Sequence, residues 1–387
     1  MTVQDLPRGL DGVVVSTTSI GDVRGEEGFF HYRQYSAAEL ACARDLVDVV
    51  ALLVDGALPT TVAEHDQMAA TLHDARRAPR ALLDVLPTIA AAGGTPIDQL
   101  RSALSLAGQV LGLQPVHDLD VQARRRDALR VAGLVPTLVA GLRRASIGRA
   151  PIASKPGLGV AADYLWMLHG TEPTGDAARA VERYLVLTVD HGFNASTFTA
   201  RIATSTGADL AAIVTAALCT LSGPLHGGAP SRALDMLDAI GDPTSARAYV
   251  RDVVTHDGRI MGFGHRVYRT VDPRSAVLRD TAHEIDAPLV GFAEQVEDEI
   301  VAALAELKPG RELYANVEYY AGVVMDAAGV PRELFTPTFT ISRSIGWVAH
   351  ALEQAADNRL VRPASRYEGP PAPQPVPPTP TRDRPAR

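Results

Sequence analysis

Four short segments in the second half of the chain gather side chains that bind anions and move protons. Asp190-His191-Gly192-Phe193-Asn194-Ala195-Ser196-Thr197 is polar and follows an apolar helical stretch, 181–189. Gly223-Pro224-Leu225-His226-Gly227-Gly228 sets a histidine among glycines, which lets a ligand approach the backbone and frees neighbouring amides to donate hydrogen bonds. Gly262-Phe263-Gly264-His265-Arg266-Val267-Tyr268-Arg269-Thr270-Val271-Asp272-Pro273-Arg274 packs a histidine and several arginines around two glycines. Guanidinium forks grip carboxylates and phosphates bidentately, so this segment reads as an anion site. Asn316-Val317-Glu318-Tyr319-Tyr320-Ala321-Gly322 adds a carboxylate. Taken singly, each segment has an ordinary reading: a helix end with a satisfied histidine, a helix-ending turn, a solvated basic loop, a surface glutamate.

Other chemistries fail on context. Gly157-Leu158-Gly159-Val160-Ala161-Ala162 has the glycine spacing of a dinucleotide-binding turn, and Glu182 follows at the distance of a ribose-binding acid. Residues 144–156 supply no apolar strand before it and no alternating βαβ pattern surrounds it, so a Rossmann reading is set aside. Gly262-Phe263-Gly264 is equally weak as a nucleotide motif. None of the histidines forms the i, i+4 pair with an intervening Glu of a zinc protease helix, and there are no paired CxxC ligands, so no protein-bound catalytic metal is expected. The Gly-x-Ser-x-Gly elbow of serine hydrolases is absent.

The elements that must position these segments read as helices. Residues 12–35 mix β-branched and aromatic residues with Asp and Gly, predicting a short strand or hairpin. After it, apolar residues recur at spacings of three and four: Leu46, Val49, Val50 and Leu53, then Leu100, Leu104 and Leu111. Gly56–Pro59, Gly93-Gly94 and Gly170–Pro173 punctuate them. A helix over 208–220 precedes the His226 turn. Val296, Ile300, Ala303, Leu304 and Leu307 share one helical face, as do Ile341, Ile345, Val348 and Leu352. From residue 369 the Pro-rich sequence cannot bury apolar area and predicts a disordered tail through 387.

Composition narrows the function further. At 387 residues the chain has room for two or three domains and a large core. A net charge of −8 argues against a nucleic-acid surface and favours small-molecule partners. Cys42 and Cys219 lie in apolar helical patterns, so buried thiols in a reducing cytoplasm are expected rather than a disulfide. No stretch reaches the length of a membrane span and no signal segment opens the sequence.

Leu225-His226-Gly227-Gly228, Gly262–Tyr268 and the helix Thr340-Ile341-Ser342-Arg343-Ser344-Ile345-Gly346-Trp347-Val348-Ala349-His350, in this order and spacing, resemble the citrate synthase family in its bacterial short form. The similarity covers most of residues 10–367, including Arg24–Arg33 and Asp190–Thr197, and leaves out only the tail.

The resemblance implies an all-α, two-domain helical fold with a small N-terminal β element. Residues 1–226 and 331–368 would form a large domain, and 227–330 a small one that closes over the substrate. It implies condensation of acetyl-CoA with oxaloacetate to citrate and CoA, or of propionyl-CoA to 2-methylcitrate. By that likeness His226 polarises the thioester carbonyl, His265 the ketone of oxaloacetate, and Glu318 stands where the family's base does. His191, Arg274 and Arg343 would hold the oxaloacetate carboxylates. Arg362 would reach into the neighbouring subunit of a homodimer, and Arg269, with Gly262 and Gly264, would lie on the CoA side. No cofactor is implied, CoA thioester being a substrate. One departure stands out: the family's motif carries Asp where this chain has Glu318, an extra methylene that displaces the carboxylate by roughly an ångström, a shift able to cost about 10²-fold in rate. A non-catalytic oxaloacetate- or CoA-binding relative is the alternative that this departure raises.

Overall fold

A computed structural model describes residues 7–224, 226–227 and 230–377. Seventeen α-helices and one three-stranded sheet make up its regular structure apart from short 3-10 turns. None of the described helices is long and apolar enough to cross a membrane.

The expected hairpin is present. Strands Gly21–Arg24 and Phe29–Tyr32 pair antiparallel, with Val23 opposite Phe30, and Tyr35–Ser36 adds a third strand. Alternation along the second strand turns Phe30 and Tyr32 inward. Tyr32 then donates from its hydroxyl to Val186 O at 2.8 Å, so the hairpin grips the end of the helix Gly175–Thr188, just before His191.

Two helices form the core. Val121–Ser146 starts at Asp120, whose carboxylate accepts from Ala123 N at 2.7 Å, and is buried on all sides between Val131 and Leu142. Phe335–Ala356 packs against it and buries nearly its whole surface, carrying Arg343 and His350 inside. A helix apolar on every face belongs in the centre of a large protein. Ile341, Ile345 and Val348 are accordingly buried, although so are the intervening serines and threonines. Thr188 Oγ1 and Ser342 Oγ meet at 2.7 Å, one of several hydrogen bonds that satisfy these hydroxyls.

The helix expected over 208–220 runs Leu210–Leu221 behind an Asp209 cap. The breaks at Gly56, Gly93-Gly94 and Gly170 fall between helices, and Gly56 and Gly170 take the left-handed conformation at φ 91° and 82°. Gly159 caps the helix Val160–His169, with no strand in residues 144–156. Two expectations need correction. Cys42 and Cys219 are exposed, on the outward faces of their helices. Leu307 ends the helix Val290–Leu307 at 37% exposure, beyond the buried stripe of Val296, Ile300, Ala303 and Leu304. Residues 369–377 form no helix or strand, and the rest of the Pro-rich tail lies outside the described residues.

Candidate active site

The helix Gly175–Thr188 stops at Val189, and the chain turns through Gly192 at φ 62°. Asp190 anchors the turn. Its carboxylate is buried against His350 Nε2 at 3.2 Å and accepts from Gly192 N at 3.2 Å. His191 is thereby pressed among the rings of Phe30, His265 and Tyr268, with centroids 5.7, 5.3 and 5.4 Å away. Its Nε2 lies 3.0 Å from the Tyr268 hydroxyl. Burial, aided by Arg274, holds its pKa well below the ordinary histidine value, so the ring is neutral.

Asn194 caps the next helix, Ala195–Ser205, and orients Ser196, whose hydroxyl donates to Asn194 Oδ1 at 2.8 Å and accepts from Trp347 Nε1 at 3.2 Å. Ser196 in turn fixes His226. Its backbone N–H donates to His226 Nε2 at 3.3 Å, and its Oγ lies 2.9 Å from the same nitrogen. An acceptor at Nε2 leaves the proton of the neutral ring on Nδ1. Neutrality is secured by burial and by Arg343, which lower the pKa to about 4.

The third segment uses its glycines. Gly262 and Gly264 take φ of 78° and 80°, a region that side-chain-bearing residues rarely enter. A Cβ on Gly262 would lie 3.1 Å from Tyr319 Cδ2. That closeness lets Gly264 N donate to Tyr314 O and Asn316 N to Gly262 O, both at 2.8 Å, while Asn316 Nδ2 reaches Gly264 O at 2.9 Å. The loop carrying His265 is therefore fastened to the turn that begins the helix Val317–Ala327.

At His265, the amides of Val267 and Tyr268 both donate to Nδ1 at 3.0 Å, which puts the proton on Nε2. Burial, followed by Arg274, lowers this pKa also to about 4. Arg274 Nη2 sits 3.3 Å from that Nε2. Both atoms are donors, so an acceptor from outside is what satisfies them together. Arg274 is buried and held by Asp272 through Nε to Oδ1 at 3.0 Å and Nη2 to Oδ2 at 2.8 Å. Asp272 Oδ2 also accepts from Val317 N at 3.0 Å, tying the arginine to the backbone beside Glu318.

Glu318 lies in the first turn of that helix, its N–H donating to Asn316 Oδ1 at 3.0 Å. Burial raises its carboxyl to about 7, against the pull of Arg274. Arg343 projects from the central helix over the Phe339 ring, with Cζ 4.5 Å from the centroid. Among the described residues its recorded hydrogen bond is Nε to Thr188 O at 3.0 Å. Burial depresses it to about 10. A buried guanidinium with donors to spare calls for a carboxylate or phosphate.

The fold thus brings together His191, His226, His265, Arg274, Arg343 and Glu318, with Gly262 and Gly264 shaping the loop between them. Two expected residues stand apart. Arg269 is exposed, and its backbone N–H donates to Gly25 O at 3.1 Å. Arg362 is exposed beyond the central helix, next to Val361, whose N–H donates to Ser205 Oγ at 3.1 Å. Leu225 and Gly228 of the His226 motif lie outside the described residues. The residues that sequence reading missed are the holders: Ser196, Asp272, Tyr268 and Phe30. All four lie inside segments singled out above, but only Asp272 carried a local signal of its role, as an Asp-Pro pair opening the helix Pro273–Glu284.

Two neutral imidazole donors, two buried guanidiniums and a carboxyl titrating near neutrality suit proton abstraction from a weak carbon acid beside a bound dicarboxylate. Known proteins give the same direction. The family described as "Citrate synthase, C-terminal domain" matches residues 9–364. A citrate synthase of Deinococcus radiodurans is 35% identical over 370 residues, covering 95% of this chain and 97% of that one. A 2-methylcitrate synthase of Mycobacterium tuberculosis is 36% identical over 365 residues, covering 94% and 91%. The citrate synthase of Thermoplasma acidophilum, solved in a ternary complex, superposes with a TM-score of 0.86 at 27% identity, covering 96% and 98%. With the match spanning nearly the whole chain, this protein belongs to the citrate synthase family.

Proposed function

We propose that the chain condenses acetyl-CoA with oxaloacetate and hydrolyses the product to citrate and CoA. The relatives are named as synthases, and the binding-only alternative is dropped. The Thermoplasma structure is titled as a complex with carboxymethyl coenzyme A and oxaloacetate, the substrate classes assigned here. Glu318 removes a proton from the α-carbon of the thioester, and His226 Nδ1–H stabilises the enolate oxygen. The enolate carbon attacks the oxaloacetate ketone, whose oxygen takes hydrogen bonds from His265 Nε2–H and Arg274 and then a proton. Arg343 and His191, with Arg274, hold the carboxylates. Water cleaves the acyl-CoA intermediate, releasing the thiol and a new carboxylate. These steps use groups of the chain and its substrates, and call on no cofactor or metal.

The observation that carries this reading is the pair of histidines kept neutral with protons on opposite nitrogens, one by Ser196 and the other by the amides of Val267 and Tyr268. Closure of residues 227–330 over oxaloacetate, Arg269 at the CoA phosphates, and Arg362 acting across a homodimer in the cytoplasm belong to the same proposal. The likeness to the mycobacterial 2-methylcitrate synthase favours a second donor, propionyl-CoA, which a pocket discriminates by only about 1–3 kcal/mol. Thiol release from each donor with oxaloacetate tests both readings. Faster turnover of acetyl-CoA is expected, and no release from either donor would refute the function.

A further inference from the structure

Behind the turn that carries His191, a chain of buried polar groups runs out to residues 16–19. Asp190 uses both carboxylate oxygens: Oδ2 accepts from Gly192 N, and Oδ1 lies 3.2 Å from His350 Nε2. His350 is buried, and on its other side Arg201 Nη1 stands 3.1 Å from Nδ1. A guanidinium only donates, so Nδ1 is the acceptor and the ring proton sits on Nε2, where it is given to Asp190. The approach depends on Gly346, one turn before His350, because a Cβ there would run into Val189 O.

Arg201, buried on the helix Ala195–Ser205, is itself held from every side. Nε donates to Gln354 Oε1 at 3.2 Å, Nη1 also to Glu353 Oε2 at 2.5 Å, and Nη2 to Ser16 Oγ at 3.2 Å and Thr17 O at 3.5 Å. With His350, every N–H of the fork has an acceptor, so this arginine, unlike Arg343, has no donor to spare for a ligand. The other oxygen of Glu353 accepts from Ser19 N at 2.7 Å and Ser19 Oγ at 2.8 Å. Burial pushes the Glu353 carboxyl up, but Arg201 and the Ser19 amide outweigh it and bring the group down to about 2, so it stays an anion. Apolar side chains of the same volume would hold these helices together without burying charge. What the polar chain adds is direction, since it allows Asp190 one orientation and with it one course for the turn.

We infer that Arg201 and His350 are positioning residues for oxaloacetate: through Asp190 they set the turn that presents His191, and through Glu353 they tie that turn to residues 16–19. The inference rests on the reading of the cleft as an oxaloacetate site. Neither residue touches the substrate. Their loss falls on oxaloacetate and spares the acyl-CoA, because His226 is fixed separately by Ser196. The hairpin that begins at Gly21 follows directly on residues 16–19 and supplies Phe30 against His191, so the same segment braces the turn from both ends.

The test measures oxaloacetate binding by calorimetry and thiol release side by side in the full chain. His350→Phe keeps the bulk of the ring and removes both hydrogen bonds; affinity and KM for oxaloacetate worsen about tenfold or more, while KM for acetyl-CoA stays within about twofold. His350→Gln, whose amide can donate to Asp190 and accept from Arg201, returns oxaloacetate affinity to within about threefold of the wild type. Should His350→Phe fail to fold, Glu353→Ala, at the partly exposed end of the chain, decides: it weakens oxaloacetate about threefold or more, and unchanged affinity overturns the inference. Equal affinity in wild type and His350→Phe also overturns it, as does an equal loss in His350→Phe and His350→Gln, since packing alone then accounts for the ring. A wild type that binds oxaloacetate but releases no thiol refutes the proposed function, and the binding comparison still decides this inference.

Discussion

Replacing Glu318 by Gln should make the protein more stable at pH 8 while abolishing turnover. Burial lifts this carboxyl from the ordinary 4.5 to about 7, so the native state holds its proton more tightly than the unfolded chain does. Between those values the native state binds more protons, and stability therefore falls as pH rises through the window. At 1.36 kcal/mol per tenfold, the ionised carboxylate costs about 3 kcal/mol above pH 7, an order-of-magnitude figure. A neutral amide of the same shape does not carry that cost. Denaturant unfolding of wild type and E318Q at pH 8 and at pH 4.5 should give a difference of about 3 kcal/mol at the higher pH that shrinks toward zero at the lower. The comparison between the two proteins matters, because neutral His226 and His265 act in the opposite sense. Their lowered values make the native state lose stability as pH falls from about 6.5 to about 4, equally in both proteins. In the wild type, kcat/KM should drop tenfold per pH unit below about 7 as Glu318 takes up its proton. A variant no more stable at pH 8, or one that still releases CoA thiol at the wild-type rate, would refute the assignment of a buried base.

The remaining predictions follow the same residues. His226→Gln should lower kcat by about 10²–10³ with little change in the KM for oxaloacetate, measured by thiol release, since it removes a donor needed when the enolate forms. Asp272→Asn leaves buried Arg274 without its counter-charge and should cost about 3–5 kcal/mol in denaturant unfolding, together with a raised KM for oxaloacetate. Gly262→Ala, at φ 78° and with a Cβ 3.1 Å from Tyr319, should cost about 1–2 kcal/mol and reduce kcat by shifting the loop that carries His265.

Much of this was legible in the sequence, for reasons that differ by residue. Helices were readable because period and punctuation act locally: Gly56 and Gly170 mark ends whatever the tertiary context. The exposed cysteines were not. Cys42 and Cys219 sit among apolar neighbours in the sequence, yet each falls on the outward face, and a composition-level argument does not resolve the face of a single residue. His191, His226, His265, Glu318 and the two arginines were visible through motif resemblance, whereas the holding roles of Ser196 and Asp272 within the same segments were not, because those roles involve partners far away in the chain. Ser196 meets His226 and Trp347 across separations of 30 and 151 residues, and Asp272 meets Val317 across 45.

Those long-range holders explain why the site tolerates so much buried charge. Arg274 is neutralised by Asp272, and the carboxylate whose charge acts on Arg343 is Asp190, which hydrogen-bonds to His350 and Gly192. The site is thus left short of hydrogen-bond acceptors, and two neutral imidazoles add donors without adding cations. A dicarboxylate relieves that shortage. With the arginines satisfied, Arg274 pulls less on Glu318, and the carboxyl becomes a stronger base once oxaloacetate is in place. This sequence of charges predicts ordered addition, oxaloacetate before acyl-CoA, and exchange of the α-proton of acetyl-CoA with solvent only when a dicarboxylate is bound. Deuterium exchange followed by NMR with acetyl-CoA, in the presence and absence of a dicarboxylate without a ketone, measures this directly. Equal exchange in both conditions would show that Glu318 does not sense the charge of its neighbours.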